Sequence, residues 1–168
     1  MKNTIIGTAT VTAKTFKVNG KKYELTEKAQ AVAEKLDLNG RTALFATDKD
    51  GKIAIIRVQG SLTYKEKTPR YGKEGEEYLA DYVTAIGYPC QLKESDGDPF
   101  LFTLACNEGK EKTEFMPMKV WGELGERAKV DLKTPDGEKA PKIWVEARKG
   151  SYKGKSNYTV IDYGVITD

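Results

Sequence analysis

Phe115-Met116-Pro117-Met118-Lys119-Val120-Trp121-Gly122-Glu123-Leu124-Gly125-Glu126-Arg127-Ala128 reads as a strand that turns into a helix. Up to Trp121 it alternates with period two, which sets Phe115, Pro117, Lys119 and Trp121 on one face and Met116, Met118 and Val120 on the other. The second face is uniformly apolar and belongs to a core. The first carries a lysine between aromatics and suits a solvated binding surface. Beyond it, a short helix or turn fits residues 124–132.

Working outward, β-prone runs precede this segment at 82–92 and 100–107, and the strand itself covers 113–121. Two more follow, at 142–148 and 158–166. Turn chemistry separates them: Ser95-Asp96-Gly97-Asp98-Pro99, Asn107-Glu108-Gly109, Thr134-Pro135-Asp136-Gly137 and the glycine-bearing run 150–157. Three strands, a short helical connection and two strands is the order of an OB barrel. Residues 80–168 are therefore expected to form a five-stranded OB-fold domain.

Residues 5–25 alternate around Val18-Asn19-Gly20-Lys21. Asn-Gly between β-prone runs is a strong hairpin signal because both residues tolerate positive φ. Thr26 caps a short helix whose Ala29, Val32, Ala33 and Leu36 share one face, and Asn39-Gly40 ends it. A second hairpin follows, with 42–46 and 53–58 flanking Asp48-Lys49-Asp50-Gly51. Residues 1–62 thus read as a small α+β domain of order ββαββ, in a chain that is mainly β. The charged stretch 63–79 carries Pro and Gly without clear periodicity, and reads as a linker or a long exposed loop.

With 39% hydrophobic and 32% charged residues, the 168-residue chain can bury a core. Its net charge of +3 is too small to mark a polyanion binder, so any basic signal must be local. The absence of histidine removes Ser-His-Asp and Cys-His nucleophiles and zinc sites that need histidine. Cys90 and Cys106 lie among apolar residues and read as two buried free thiols in a reducing compartment. No run is apolar enough for a membrane span or a signal peptide, so a cytoplasmic location is expected and the sequon Asn157-Tyr158-Thr159 is incidental. Asp48-x-Asp50-Gly51 and Asp96-Gly97-Asp98 echo calcium loops but lack the bidentate Glu at the required distance. Residues 150–154 lack the Lys-Ser/Thr ending of a phosphate-binding loop. No metal, cofactor or enzymatic activity is expected.

The basic residues cluster after Trp144-Val145-Glu146-Ala147-Arg148, in the hairpin Lys149-Gly150-Ser151-Tyr152-Lys153-Gly154-Lys155-Ser156-Asn157-Tyr158. Rings interleaved with cations can stack on exposed bases while neutralising the phosphates between them. On this reading Lys119, Arg148, Lys149, Lys153 and Lys155 contact the backbone of a single-stranded nucleic acid.

Several of these segments resemble the bacterial and phage single-stranded DNA-binding protein family. Phe102-Thr103-Leu104-Ala105-Cys106-Asn107 is similar to its second strand, and Thr113-Glu114-Phe115 running into Lys119-Val120-Trp121-Gly122-Glu123-Leu124 to its third strand and helix start. Ile143-Trp144-Val145-Glu146-Ala147-Arg148 resembles the fourth strand and Asn157-Tyr158-Thr159-Val160 the fifth, so the likeness covers about 81–166. It implies a non-enzymatic homo-oligomer that binds single-stranded DNA with little sequence preference, in replication, recombination or repair, alongside proteins of those processes. It also implies base stacking by Phe115, Trp121 and Tyr152, and for Trp144 either subunit assembly or ligand contact.

The chain departs from the family in three places. A further stacking aromatic is expected shortly after the second strand, where this chain has Asn107-Glu108-Gly109-Lys110. The N-terminal segment is an addition, and the chain stops at Ile166-Thr167-Asp168 without an acidic-tipped tail. A phage or mobile-element protein in a bacterial or phage-infected cell fits these departures, and recruitment of repair enzymes through such a tip is not expected. The same surface would also suit RNA. In an OB-type protein-interaction module, such as a replisome accessory or a phage factor binding a host protein, the exposed aromatics would be interface anchors.

Overall fold

The computed structural model describes residues 2–93, 98–107, 112–135 and 137–167. Its N-terminal part comprises β1 (Thr4–Val11), β2 (Phe16–Val18), β3 (Lys21–Tyr23), α1 (Glu27–Lys35), β4 (Thr42–Thr47) and β5 (Ile53–Arg57). These strands form one sheet in the order β3-β2-β1-β4-β5. Three strands precede the helix, where the sequence suggested two. The Thr12 hydroxyl accepts the Lys14 and Thr15 N–H groups, which turns the chain between β1 and β2. Asn19 and Gly20, at φ 52° and 81°, then make the expected turn between β2 and β3.

One face of this sheet packs on α1 around Ala9, Phe16, Val18, Ala29, Phe45 and Ile53. Thr26 caps α1 as its position predicts, its hydroxyl accepting the Ala29 N–H at 3.2 Å. Val32 was expected on the buried face but is exposed, while Ala33 and Leu36 do pack against the core. The Asp48 carboxylate accepts the N–H groups of Asp50 and Lys52, which is the work of a turn residue.

The charged stretch 63–79 is neither a linker nor a loop along most of its length. It lies in a long hairpin of β6 (Gly60–Pro69) and β7 (Glu77–Lys93), paired from Gly60 opposite Ile86 to Pro69 opposite Glu77. Apart from buried Ala80, the hairpin's far end is exposed or half-buried on both sides, so no apolar alternation advertises it. Cross-strand pairs hold it instead: Tyr64 stacks on Tyr82 at 5.5 Å and Lys65 bridges Asp81 at 2.8 Å. At its tip the Arg70 guanidinium lies 5.0 Å from the Tyr78 ring centre.

The rest of the chain adds β8 (Phe100–Asn107), β9 (Thr113–Val120), α2 (Gly122–Asp131), β10 (Lys142–Tyr152) and β11 (Lys155–Ile166). β7, β8, β9, β11 and β10 pair in that order, and β10 returns to β7. The result is a closed five-stranded barrel in a mainly β chain, consistent with an OB-like fold. All neighbours are antiparallel except β9 and β11, which run parallel. β6 pairs the first half of β7, outside the barrel. Inward-facing Val83, Phe102, Leu104, Met116, Met118, Val120, Val145 and Val160 fill the interior, with Ala128 of α2 and Leu132 at its C-cap alongside. Each such side chain contributes roughly 1.5–3 kcal/mol by leaving water. Cys106 points into this core, but Cys90, expected to be buried too, faces outward beside Thr103 and is half-buried. The turns proposed at 95–99 and 107–109, the second calcium-like loop and Asp136 fall wholly or partly outside the described residues.

The N-terminal sheet lies against the barrel through its face opposite α1. Leu44 and Ala46 of β4 and Thr84 and Ile86 of β7 are buried there, outside both cores. The hydroxyls of Thr4 and Thr84 hydrogen-bond at 3.0 Å, and Lys2 forms an ion pair with Glu146.

Candidate nucleic-acid interface

β9 alternates as its sequence requires. Met116, Met118 and Val120 are at most 2% exposed, whereas Phe115 is 62% exposed and Lys119 faces outward beside it in the strand. Trp121, at the N-cap of α2, is 52% exposed and Tyr152 is 69% exposed. Three large rings thus stay exposed to water. Gly122 lets the chain leave β9 for α2 at φ 64°, and its N–H donates to Asp98. Gly125 lets α2 pack closely, since a Cβ there would lie 2.5 Å from the Val120 carbonyl oxygen.

Register brings the pieces together. Phe115 is paired with Ala105 on β8, and Ala105 is paired with Tyr88 on β7. All three face outward, so Tyr88 and Phe115 flank a small alanine at a separation of about two strand spacings, ~10 Å. Tyr88 is 40% exposed. It supplies an outer-face aromatic where the segment after Asn107 has none. Sequence reasoning passed over Tyr88; the signal available was its alternation with buried neighbours Gly87 and Pro89.

The parallel pairing of β11 with β9 matches Tyr158 to Met118 and Thr159 to Lys119. Beyond that pairing the chain runs back into the β10–β11 hairpin, where Tyr152 is paired with Lys155. Lys119 and Arg148 both border Thr159, one on each side, again ~10 Å apart. Trp121 stands at the other end of β9, about 20 Å from Phe115 along the strand. The hairpin closes on Lys153 and Gly154 at φ 51° and 77°, a two-residue turn whose twist suits the flanking strands.

Two of the predicted contacts lie differently from expectation. Alternation puts Arg148 and Tyr152 on the outer side of β10, and Lys149 on the opposite side. Lys149 there neighbours Asp81, whose carboxyl is held below its usual range by the hydrogen bond from Lys65, then by Lys65's charge, with Lys149 adding to it. Lys153 folds back so that its ammonium lies 5.4 Å from the Tyr152 ring centre, a cation–π contact on one face of that ring. Trp144 is occupied within the chain: a Cβ at Gly164 would lie 2.3 Å from its indole Nε1, so the ring covers that glycine. It also lines a cavity of about 450 Å³ with β1 residues Thr4, Ile6 and Thr8.

No protein-family model matches the chain, and no curated protein matches it. Its function is therefore argued from the surface alone. No helix among the described residues is long and apolar enough to cross a membrane.

Proposed function

We propose that this protein is a non-enzymatic binder of single-stranded DNA that uses an OB-type barrel. The observation that carries the reading is the outer surface formed by β7, β8, β9 and the β10–β11 hairpin. There Tyr88 and Phe115 flank Ala105, Tyr152 is exposed on the hairpin, Trp121 marks the far end of β9, and Lys119, Arg148, Lys153 and Lys155 lie among them. In OB folds the face of the second and third strands and the fourth–fifth hairpin are the surfaces that take oligonucleotides. Stacking contributes about 1–3 kcal/mol per base and tolerates any base, so weak sequence preference follows. Four cations on the shared side predict a log–log salt slope near −3 on single strands.

The test is a titration of labelled oligo-dT at several salt concentrations, followed through tryptophan fluorescence. Quenching with a slope at least that steep supports the reading. Absence of binding at low salt sinks it and leaves the exposed rings as anchors for a protein partner. Parallel titrations with oligo-U and duplex DNA report whether RNA or duplex is preferred.

A further inference from the structure

Residues 4–23 contain Lys14, Lys17, Lys21 and Lys22 and no acidic residue. They contribute +4 to a chain whose net charge is +3, so the remainder is slightly acidic. The positive charge of this protein is therefore concentrated on β1–β3 more than on the barrel.

Within that sheet Lys17 of β2 is paired directly with Lys22 of β3, and Thr10 of β1 is paired with Lys17. Like charges directly opposed on antiparallel strands, with Cβ atoms about 5 Å apart, are destabilising. Both lysines are exposed, and among the described residues no ion pair reaches Lys14, Lys17 or Lys22. The hairpin does not need the pair, because the Asn19-Gly20 turn and buried Phe16 and Val18 already define it. An anion bridging the two ammonium groups would relieve the repulsion.

Hydroxyls continue the same face. Alternation turns Thr8 and Thr10 away from α1, on the side of the sheet that meets the barrel at β4 but exposed at this end, and the Thr8 hydroxyl lies 3.2 Å from that of Thr42. Lysine ammonium and threonine hydroxyl groups are donors that hold phosphate oxygens without reading bases. An anionic membrane is the other large polyanion, but adhesion there also draws on apolar side chains. This face offers none between Thr8, Thr10, Lys17 and Lys22.

We propose that the outer face of β1–β3 is a second contact for single-stranded nucleic acid, which holds the sugar–phosphate backbone across Lys17 and Lys22. It shares its ligand class with the barrel surface and none of its residues, so either can fail alone.

The probe is a labelled abasic oligodeoxynucleotide, which keeps the phosphates and lacks bases to stack. The wild-type protein should bind it at low salt. K17Q/K22Q should lower the log–log salt slope by about 1.4, on the abasic strand and on oligo-dT alike. The variant should melt at the same temperature as the wild type or higher, since a repulsion has been removed. The proposal is overturned if K17Q/K22Q keeps the wild-type slope, if the abasic strand does not bind, or if the lysines govern binding to phosphatidylserine vesicles alone. Lysine-dependent abasic binding without tryptophan quenching by oligo-dT would support this contact while removing the barrel reading.

Discussion

Tyr88 and Phe115 stand on either side of Ala105, each its direct partner across a strand pair, with both rings on the outside of the barrel. β7, β8 and β9, consecutive in the chain and neighbours in the barrel, bring these rings into one row through their register. A larger residue at position 105 would fill the space between them.

Phe115→Ala and Tyr88→Ala should each weaken oligo-dT binding by about 5- to 150-fold, the equivalent of one stacked base. Tyr88→Phe keeps the ring and should change affinity little. If both rings touch the same bases, the double variant Y88A/F115A should lose less than the product of the single losses. Fluorescence anisotropy measures all four, and equal affinities for wild type and Y88A would remove Tyr88 from the surface.

The two tryptophans should report separately. Trp121 is at the exposed end of β9 and Trp144 lies over Gly164 against the N-terminal sheet. Quenching by oligo-dT should persist in Trp144→Phe and vanish in Trp121→Phe. The reverse pattern would place the DNA at the seam.

Arg148 and Lys149 are neighbours in the chain on opposite sides of β10. Arg148→Gln should reduce the single-strand salt slope by about 0.7, and Lys149→Gln should leave it unchanged. Equal effects would show that the hairpin twists to present both.

Stability should fall in alkali. Burial is the main cause holding the hydroxyls of Tyr64, Tyr158 and Tyr163 protonated above their ordinary range, aided by Glu146 at Tyr64, Glu114 at Tyr158 and Asp131 at Tyr163. In the unfolded chain tyrosine ionises near ~10. Their folded pKa values are raised, so the contribution is fully present below pH ~10 and is lost as pH rises beyond it. Urea midpoints at pH 8, 10 and 11 should decline steadily, and Tyr158→Phe should flatten the decline.

Gly87→Ala tests barrel closure. Its Cβ would lie 2.4 Å from the Ala105 carbonyl oxygen, in backbone that cannot easily give way. A loss of about 1–3 kcal/mol is expected from such overpacking, read as a lowered urea midpoint. An unchanged midpoint would mean that β7 and β8 separate at no cost.

Much of this was legible beforehand because it is local. The face assignment on β9, the Thr26 cap, the Asn19-Gly20 turn and the strand–helix–strand order each depend on residues within a few positions of one another. The hairpin at 60–86 escaped notice because its outer half buries little on either side, so Lys65 and Asp81 leave no periodic trace. The third N-terminal strand was missed because Thr12 makes its turn with a side-chain hydroxyl rather than with Gly or Pro.

The sequence by itself determined which side chains of β9 enter a core, where the Asn19-Gly20 and Asp48 turns fall, and that cations gather around Tyr152. Only the tertiary structure decided that Tyr88 joins Phe115, that Arg148 and Lys149 part company, that Trp144 is covered from within, and that Lys17 meets Lys22. The reason is register. Alternation assigns a residue to a face, but closure of the barrel and packing of the sheet decide which faces of distant strands lie side by side.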